Sequence, residues 1–245
     1  MKNVTVSVII PAYNEGLYIG KLLESLKGQT SKDFETIIAD WNSTDRTAEI
    51  AAEYGARLLK VGRKGVAAGR NEGARAARGS LLLFLDADTV VPPDFIESVG
   101  RLFSQEGIIG MACRFTCIDR SMLYKMLYKA ADVLLILTWR LKLFPYHAGF
   151  CCCFRKRAFF RAGCFKEDMA HSEDVDFSRR ISVVGKVKLM DRMVATSARR
   201  LEKEGSLRLC LRYLRNALGM IIFKRAIGGY EYGIFSAKDG KAANM

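Results

Sequence analysis

The sequence predicts an α/β fold built on a doubly wound, mostly parallel sheet, and three observations support this. Apolar runs of strand length alternate over residues 6–85 with segments whose apolar residues recur at helical spacing. The runs are continuously apolar, as expected for parallel strands that are buried on both faces. Polar residues follow three of the runs directly, and open α/β sheets bind ligands beyond the carboxyl ends of their strands.

Strands and helices alternate in order along this part of the chain. Strands are predicted at residues 6–10, 36–39, 57–61 and 80–85, with helices around residues 19–26, 50–54 and 65–77. Ser43 or Thr44 is suited to cap the second helix, and Gly79 is suited to end the third. Because each strand is followed by a helix, the strands are expected to be parallel.

The most informative segment is Asp86-Ala87-Asp88, which follows the apolar run of residues 80–85. Two ionised carboxylates at the exit of a buried strand are costly unless a cation neutralises them. Mg²⁺ is usually held by one or two carboxylates together with substrate phosphates. The pair therefore predicts a divalent cation bound beside a diphosphate, and the alternative is a surface turn with two solvated aspartates.

Several short motifs follow one another between about residues 4 and 200. They occupy residues 10–15, 40–47, 68–73, 76–79, 86–95, 149–165 and 172–180. Their order and spacing resemble family-2 glycosyltransferases with the GT-A fold, a specific match although each motif alone is common. The resemblance implies an inverting enzyme that uses Mg²⁺ or Mn²⁺ to transfer a sugar from a UDP- or GDP-sugar to a glycan or lipid-linked acceptor.

The resemblance implies roles in the nucleotide-sugar half. Asp88 would bind the metal directly, and Asp86 would contact the ribose or a metal-bound water. Donor contacts are implied for Pro11, Ala12, Tyr13, Glu15, Asp40, Arg70, Asp86, Arg199 and Arg200. Asp40 would accept a hydrogen bond from the base, but Trp41 and Asn42 follow where relatives often carry another acidic residue, so the base stays open.

The arginines of this set have more than one interpretation. Arg70 would reach the base or the diphosphate, and the alternative is a charged residue on a helix surface. Arg199 and Arg200 could clamp a diphosphate, because guanidinium groups bind such oxygens in pairs. The alternative for this pair is a solvated face.

A second acidic cluster lies at residues 173–176. Asp174 is the implied general base for the acceptor hydroxyl, Glu173 would orient the sugar or assist, and Asp176 is the next candidate. The alternative is structural: Ser172 caps a helix whose positive N-terminus favours the three acids. Of the two histidines, His171 could reach the metal or leaving phosphate or be an ordinary loop residue, and His147 lies in a predicted loop.

The length of 245 residues suits one α/β domain. We expect a transferase domain at residues 1–200, with a nucleotide-sugar half at 1–115 and an acceptor half at 116–200. Residues 201–245 form a basic segment within a chain of net charge +13, with an aliphatic stripe at helical spacing. The stripe comprises Leu207, Leu211, Leu214, Leu218, Ile221 and Ile222, beside Arg208, Arg212 and Arg215. It predicts a helix at an anionic membrane surface or one packed on the domain.

A second amphipathic stretch covers residues 121–143. Its stripe comprises Leu123, Met126, Leu127, Ala130, Leu134 and Leu137. An acceptor groove, a dimer contact, a bilayer interface or a helix packed into the core would each explain it, and we expect the last.

The compartment is inferred from cysteines and hydropathy. The sequence shows neither a secretory signal nor an apolar stretch of about 18 residues that could span a bilayer. Because no secretory signal is evident, the seven cysteines are expected to be reduced thiols. Zinc at Cys113, Cys117 and the cluster at residues 151–153 is the alternative, but its spacing fits no zinc template. We expect a cytoplasmic protein, peripheral on the inner face of the cell membrane.

Parts of the sequence are also compatible with other classes of protein. A polyprenyl- or dolichyl-phosphate hexosyltransferase differs only in its acceptor. A nucleotidyltransferase would carry a glycine-rich basic signature after the first strand, where this chain has Pro11-Ala12-Tyr13-Asn14-Glu15. A basic membrane- or nucleic-acid-binding module without catalysis would leave the acidic clusters unexplained, so no nucleic-acid partner is expected.

Overall fold

A computed structural model describes residues 4–142, 147–169 and 172–205. The strands are β1 Val6–Ala12, β2 Phe34–Asp40, β3 Arg57–Lys60, β4 Leu81–Leu85, β5 Thr89–Val90, β6 Ile108–Cys117, β7 Cys151–Arg155 and β8 Lys186–Thr196. The helices are α1 Ile19–Lys27, α2 Thr47–Glu53, α3 Val66–Ala76, α4 Phe95–Phe103, α5 Met122–Arg140, α6 Lys156–Arg161, α7 Glu173–Val184 and α8 Arg199–Glu204. The predicted strands and helices of the first half are all present.

The eight strands form one sheet in the order β3-β2-β1-β4-β7-β6-β8-β5. β1, β2, β3 and β4 are parallel, so that Ala12 pairs with Asp40 and their carboxyl ends meet at one edge. β7 runs antiparallel between β4 and β6, a reversal that the sequence did not indicate. The predicted doubly wound, mostly parallel α/β fold is confirmed.

Apolar layers cover both faces of the sheet. Helices α1, α2 and α4 pack on one face with Ile10 and Leu83, and helices α3, α6 and α7 pack on the other with Ile9 and Phe84. The cysteines of β7 alternate as predicted, because Cys151 and Cys153 belong to the first layer whereas Cys152 belongs to the second. This alternation is the two-residue period of a strand buried on both sides.

The predicted helix caps are wrong. No side chain caps α2 or α7 as predicted, and α3 ends at Ala76, with an extended Ala77, before Gly79 is reached. Ser43 donates its hydroxyl to Asp40 and accepts a hydrogen bond from the Asn14 amide, so it stabilises the loop rather than α2. Asp45 accepts from the Thr47 amide at the start of α2 instead. Ser172 precedes α7 in a left-handed conformation, with φ 62°, and makes no cap hydrogen bond.

Helix α5 forms where the second amphipathic stretch was predicted, but the expectation that it packs into the core is wrong. Its fully buried side chains are Asp132 and Leu135. The large apolar side chains exposed along α5 and its C-cap are Met122, Leu123, Met126, Val133, Leu134, Leu137 and Leu141. Within the described ranges, no helix combines the length and the apolar character needed to span a bilayer. Of the basic segment at 201–245, residues 206–245 lie outside the described residues.

Candidate active site

The carboxyl ends of β1 and β2 present two aromatic rings at the edge of the sheet. Tyr13 and Trp41 follow these strands directly, and their ring centroids are 4.3 Å apart. The Trp41 amide donates to the Ala12 carbonyl at 3.2 Å, which fixes both segments beside each other. Lys64 places its ammonium 5.6 Å from the Trp41 ring centroid. An aromatic shelf with a cation over it could hold a planar base that carries phosphates.

Asp40 lies buried at the base of this shelf, as the last residue of β2. Its carboxylate accepts hydrogen bonds from the amide and the hydroxyl of Ser43. Pro11 lies against α3, because a Cβ on Gly69 would come within 3.2 Å of the Pro11 Cβ. Glycine at this position therefore lets α3 approach the end of β1.

The donor-side cluster joins Asp88 and Glu15 through one arginine. Arg199 at the start of α8 places its Nε 2.6 Å from an Asp88 oxygen. Its two terminal nitrogens donate to the Glu15 carboxylate at 2.6 and 3.0 Å. The guanidinium also stacks over Tyr18, 4.5 Å from the ring centroid. The structure therefore brings Glu15, Asp88 and Arg199 together, and the arginine is paired with both carboxylates.

The electrostatics of this cluster favour a further cation. Burial raises the pKa of Glu15 to about 7 although Arg199 opposes the shift, and the charges of Asp88 and Asp86 add to it. Burial also raises the pKa of Asp88, against the pull of Arg199 and with a smaller contribution from Asp86. A bound cation would favour the ionised form of both carboxylates.

Asp86 and Asp88 supply hard oxygen ligands of the type that Mg²⁺ and Mn²⁺ bind. Over the described ranges, no three His, Cys, Asp or Glu side chains converge on a common point. A divalent cation held here would therefore complete its coordination with phosphate oxygens and water, as Mg²⁺ commonly does.

The acceptor-side acids begin helix α7. Asp174 accepts hydrogen bonds from the Gly149 amide at 3.0 Å and from the Val175 amide at 2.8 Å, and it stays half-exposed. Glu173 is buried, with 5% of its surface exposed. Asp176 forms ion pairs with Arg180 and Lys166 at 2.7 and 3.1 Å. Asp174 is thus the most accessible member of the predicted Glu-Asp pair.

Arg70 connects the two acidic clusters from the middle of α3. Its Nη1 donates to Glu173 and its Nη2 donates to Asp86, each at 2.8 Å. Nη2 also donates to the Gly149 carbonyl at 2.8 Å. The interpretation of Arg70 as a helix-surface residue is wrong, because its side chain is only 2% exposed. Direct contact with the base or the diphosphate stays a prediction for a guanidinium that already binds two carboxylates.

The protonation states of the acceptor-side acids differ for physical reasons. Burial raises the pKa of Glu173 to about 7, and the neighbouring Asp174 charge adds to the shift while Arg70 opposes it. Burial alone would raise the pKa of Asp176, but hydrogen bonds from Arg180 and Lys166 bring this pKa below its usual value. Near neutral pH, Glu173 can therefore hold or release a proton, whereas Asp176 is ionised.

Gly149 is a part of the site that the sequence analysis missed. A Cβ at this position would lie 3.0 Å from both terminal nitrogens of Arg70 and 3.2 Å from an Asp174 oxygen. A larger residue here would push the Arg70 guanidinium and the Asp174 carboxylate apart by a few tenths of an ångström, and glycine avoids this. Gly149 begins the motif predicted at residues 149–165, but nothing in the sequence indicated that it lies between the two clusters.

Of the two histidines, His147 belongs to the described residues. His147 is fully buried beside the rings of Phe154 and Phe177, and burial lowers its pKa to about 3, so it is neutral. His147 lies in a loop, as its sequence predicted, and this part of the loop is buried. His171 lies outside the described residues.

Comparison with known proteins places this geometry in context. Residues 7–164 match the family model described as Glycosyl transferase family 2. The chain is 35% identical over 111 residues to the putative glycosyltransferase EpsH of Bacillus subtilis, an alignment that covers 43% of this chain and 32% of EpsH. The alignments with two further curated relatives cover 34% and 24% of the length of those relatives. The chain therefore spans about a third or less of the length of the curated relatives that it matches.

Solved structures share the fold. The mannosyltransferase PcManGT from Pyrobaculum calidifontis, in complex with GDP-Man and Mn²⁺, has a TM-score of 0.66 at 20% identity, covering 88% of this chain and 62% of that one. Glucosyl-3-phosphoglycerate synthase from Mycobacterium tuberculosis, bound to Mn²⁺, UDP and glucosyl-3-phosphoglycerate, has a TM-score of 0.59 at 20% identity, covering 94% and 82%. The predicted GT-A fold is confirmed.

Proposed function

The chain belongs to glycosyl transferase family 2, and we propose that it transfers a sugar from a UDP- or GDP-sugar to an acceptor hydroxyl with inversion. The observation that carries the proposal is the junction of two acidic clusters across Arg70 and Gly149. One cluster follows a strand end where a nucleotide would bind, and the other begins a helix on the acceptor side. A displacement reaction needs its leaving-group site and its base on opposite sides of one carbon.

The donor contacts follow from the shelf at the ends of β1 and β2. The base would stack on the rings of Tyr13 and Trp41. Asp40 would accept a hydrogen bond from the base through the carboxylate lone pairs that Ser43 does not occupy. Arg199 would exchange its bond to Asp88 for the diphosphate, with Arg200 beside it. This exchange is favourable because guanidinium groups bind phosphate oxygens in pairs.

A bound Mg²⁺ or Mn²⁺ would supply a Lewis acid that neutralises the charge developing on the leaving diphosphate. Asp88 would hold it directly, and Asp86 would do so through water or contact the ribose. Asp86 is fixed for this task by Arg70, whose Nη2 lies 2.8 Å from its carboxylate. The remaining residues of the cluster orient the donor.

Asp174 would remove the proton from the attacking hydroxyl. Its carboxylate is fixed by the Gly149 and Val175 amides and is half-exposed, so an acceptor can reach it. Glu173, with its pKa raised to about 7 by burial, would orient the sugar by donating or accepting a hydrogen bond. The hydroxyl oxygen then attacks the anomeric carbon from the face opposite the diphosphate, which inverts that centre.

A lipid phosphate is the second candidate acceptor, as in a polyprenyl- or dolichyl-phosphate hexosyltransferase. The exposed apolar side of α5 favours it, since such a surface suits a substrate that lies in a bilayer. In either case the enzyme would act at the cytoplasmic face of the membrane. A basic binding module without catalysis would not need two connected acidic clusters.

Donor binding tests the proposal directly. We expect UDP- or GDP-sugars to raise the melting temperature of the chain when Mn²⁺ or Mg²⁺ is present, and much less in EDTA. A matched series with dTDP-sugars tests the contribution of the base, and one with the free nucleosides tests the contribution of the phosphates. If no nucleotide sugar shifts the transition with metal present, the donor site is assigned wrongly.

A further inference from the structure

The outward side of helix α5 is apolar along its whole length. Met122, Met126, Ala130, Val133 and Leu137 recur at spacings of three and four residues, which places them on one stripe of a helix. The large members of this stripe are between 47% and 72% exposed. Leu123 and Leu134 widen the stripe on one side and are 57% and 52% exposed. We call these seven residues the outer stripe.

The inward side of α5 makes specific polar contacts with the domain. Asp132 is buried and pairs with Arg114 at 2.9 Å, and its other oxygen accepts from the Phe115 amide. The Tyr128 hydroxyl donates to the Ser197 carbonyl at 2.8 Å. A helix whose only need was to cover the domain would direct its aliphatic side chains inward, as amphipathic surface helices do. Leu127 and Leu135 follow this rule, but the outer stripe does not, which indicates that it contacts something else.

The charges around the outer stripe select the kind of partner. All formally charged side chains exposed on residues 120–142 are basic: Arg120, Lys125, Lys129, Arg140 and Lys142. The single acidic residue in this stretch is Asp132, and it is buried. A second copy of this surface would place basic groups against basic groups. Residues 206–245 carry an aliphatic stripe as well, but it is also bordered by arginines.

We propose that α5 docks on an anionic lipid bilayer through its outer stripe. Helices that lie in the plane of a membrane combine an apolar face with flanking lysines and arginines, and each basic residue near an anionic surface strengthens binding about fivefold. The stripe is long enough to enter the interface as a line of side chains, while Asp132 and Tyr128 hold the helix to the domain.

This contact would set the orientation of the candidate active site. Tyr128 packs against Phe115, which packs against Phe150, with ring centroids 5.9 and 5.2 Å apart. Phe150 adjoins Gly149, where the two acidic clusters meet. An α5 that rests on lipid therefore brings the acceptor side close to the bilayer. This consequence, a lipid-linked acceptor, rests on the proposed function, whereas the docking itself does not.

Vesicle sedimentation with the full chain tests the docking. The probe is phosphatidylcholine vesicles with or without phosphatidylglycerol, at low and high salt. The variant Met126→Glu/Leu137→Glu places two carboxylates on the outer stripe. Its control, Val183→Glu/Met193→Glu, makes the same change of charge at exposed apolar positions on α7 and β8.

We expect the chain to sediment with the anionic vesicles and to be released by salt. The α5 variant should lose about tenfold or more of its partition coefficient, and the control should lose less than about threefold. Equal losses would reduce the effect to net charge and overturn the proposal, as would wild-type binding by the α5 variant.

Two further measurements identify another occupant. If the α5 variant binds vesicles normally but changes the molar mass of the chain in solution, a second copy covers the stripe. If it binds normally but melts much earlier, residues 206–245 cover it. Either result overturns the proposal. The thermal shift produced by the nucleotide sugar and metal is measured on the same variant, so loss of donor binding and loss of membrane binding are told apart.

Discussion

Two arginines neutralise acidic clusters in this chain, and they do so in different ways. Arg70 comes from the middle of α3, is 2% exposed, and binds Asp86, Glu173 and the Gly149 carbonyl. Arg199 comes from the six-residue helix α8, is 19% exposed, and binds Glu15 and Asp88. The first is enclosed by the core, whereas the second lies at the edge of the structure.

The difference indicates two kinds of ion pair. Removing a partner from a buried pair leaves an uncompensated charge and costs far more than removing a partner that water can replace. Arg70 therefore fixes the relative positions of the donor and acceptor carboxylates. Arg199 is the more exposed of the two guanidinium groups, at 19% against 2%, so a phosphate group can reach it more readily.

The largest expected effect concerns Asp88, whose carboxylate is paired with Arg199. Asp88→Asn should lose nearly all turnover, about 10³- to 10⁴-fold, because a Lewis acid at a leaving diphosphate supplies several kcal/mol. The fold should survive, since asparagine keeps the shape. Calorimetry of nucleoside diphosphate binding with Mn²⁺ and in EDTA measures the metal-linked part. Equal affinity of the wild-type chain in both conditions would remove the metal from the scheme.

The next effect tests the acceptor side. Asp174→Asn should lower the rate of single-turnover sugar transfer by about two to four orders of magnitude if the acceptor is a hydroxyl, which needs a general base. Donor and metal affinity should change little. A lipid phosphate is already ionised, so a near-normal rate in a folded variant would rule out Asp174 as the base and favour that acceptor.

Unfolding by urea compares the two arginines themselves. Arg70→Met should lower the free energy of unfolding by about 3–5 kcal/mol, the usual cost of breaking a buried ion pair. Arg199→Met, the matched substitution, should cost less, because the Arg199 side chain is 19% exposed and Glu15, whose pKa is raised to about 7, can take up a proton in place of the lost arginine. If the two variants lose equal stability, the distinction between a fixed and a replaceable arginine does not hold.

The smallest effect is the dependence of stability on pH. The pKa of Glu173 is raised from 4.5 to about 7, so the folded chain keeps a proton that the unfolded chain has released. This contribution is present below about pH 4.5 and is lost as the pH rises to about 7. Glu173→Gln should flatten the fall in unfolding free energy between pH 5 and 7. A wild-type stability that rises over this range would contradict the assignment.

The sequence was sufficient for the parts of the molecule that depend on local pattern. Continuous apolar runs located the strands, and Asp86 and Asp88 were recognised because a buried strand leads into them. The partners of Arg70 could not be predicted, since Glu173 lies 103 positions further along the chain. Periodicity predicted α5 as an amphipathic helix but could not tell which side faces the domain. That depends on Arg114, which draws Asp132 inward across 18 positions.

The pairing of Arg199 with Glu15 joins residues 184 positions apart, and this separation has a consequence during synthesis. Ribosomes add about 5–20 residues per second, so roughly 10–40 s pass between the two residues at that pace. The loops after β1 and β4, which carry Glu15 and Asp88, emerge first. Glu15 lacks its arginine for that interval, and Asp88 lacks it for a shorter one. A factor that meets the nascent chain therefore encounters an acidic edge, which the folded chain later neutralises with the arginine of α8.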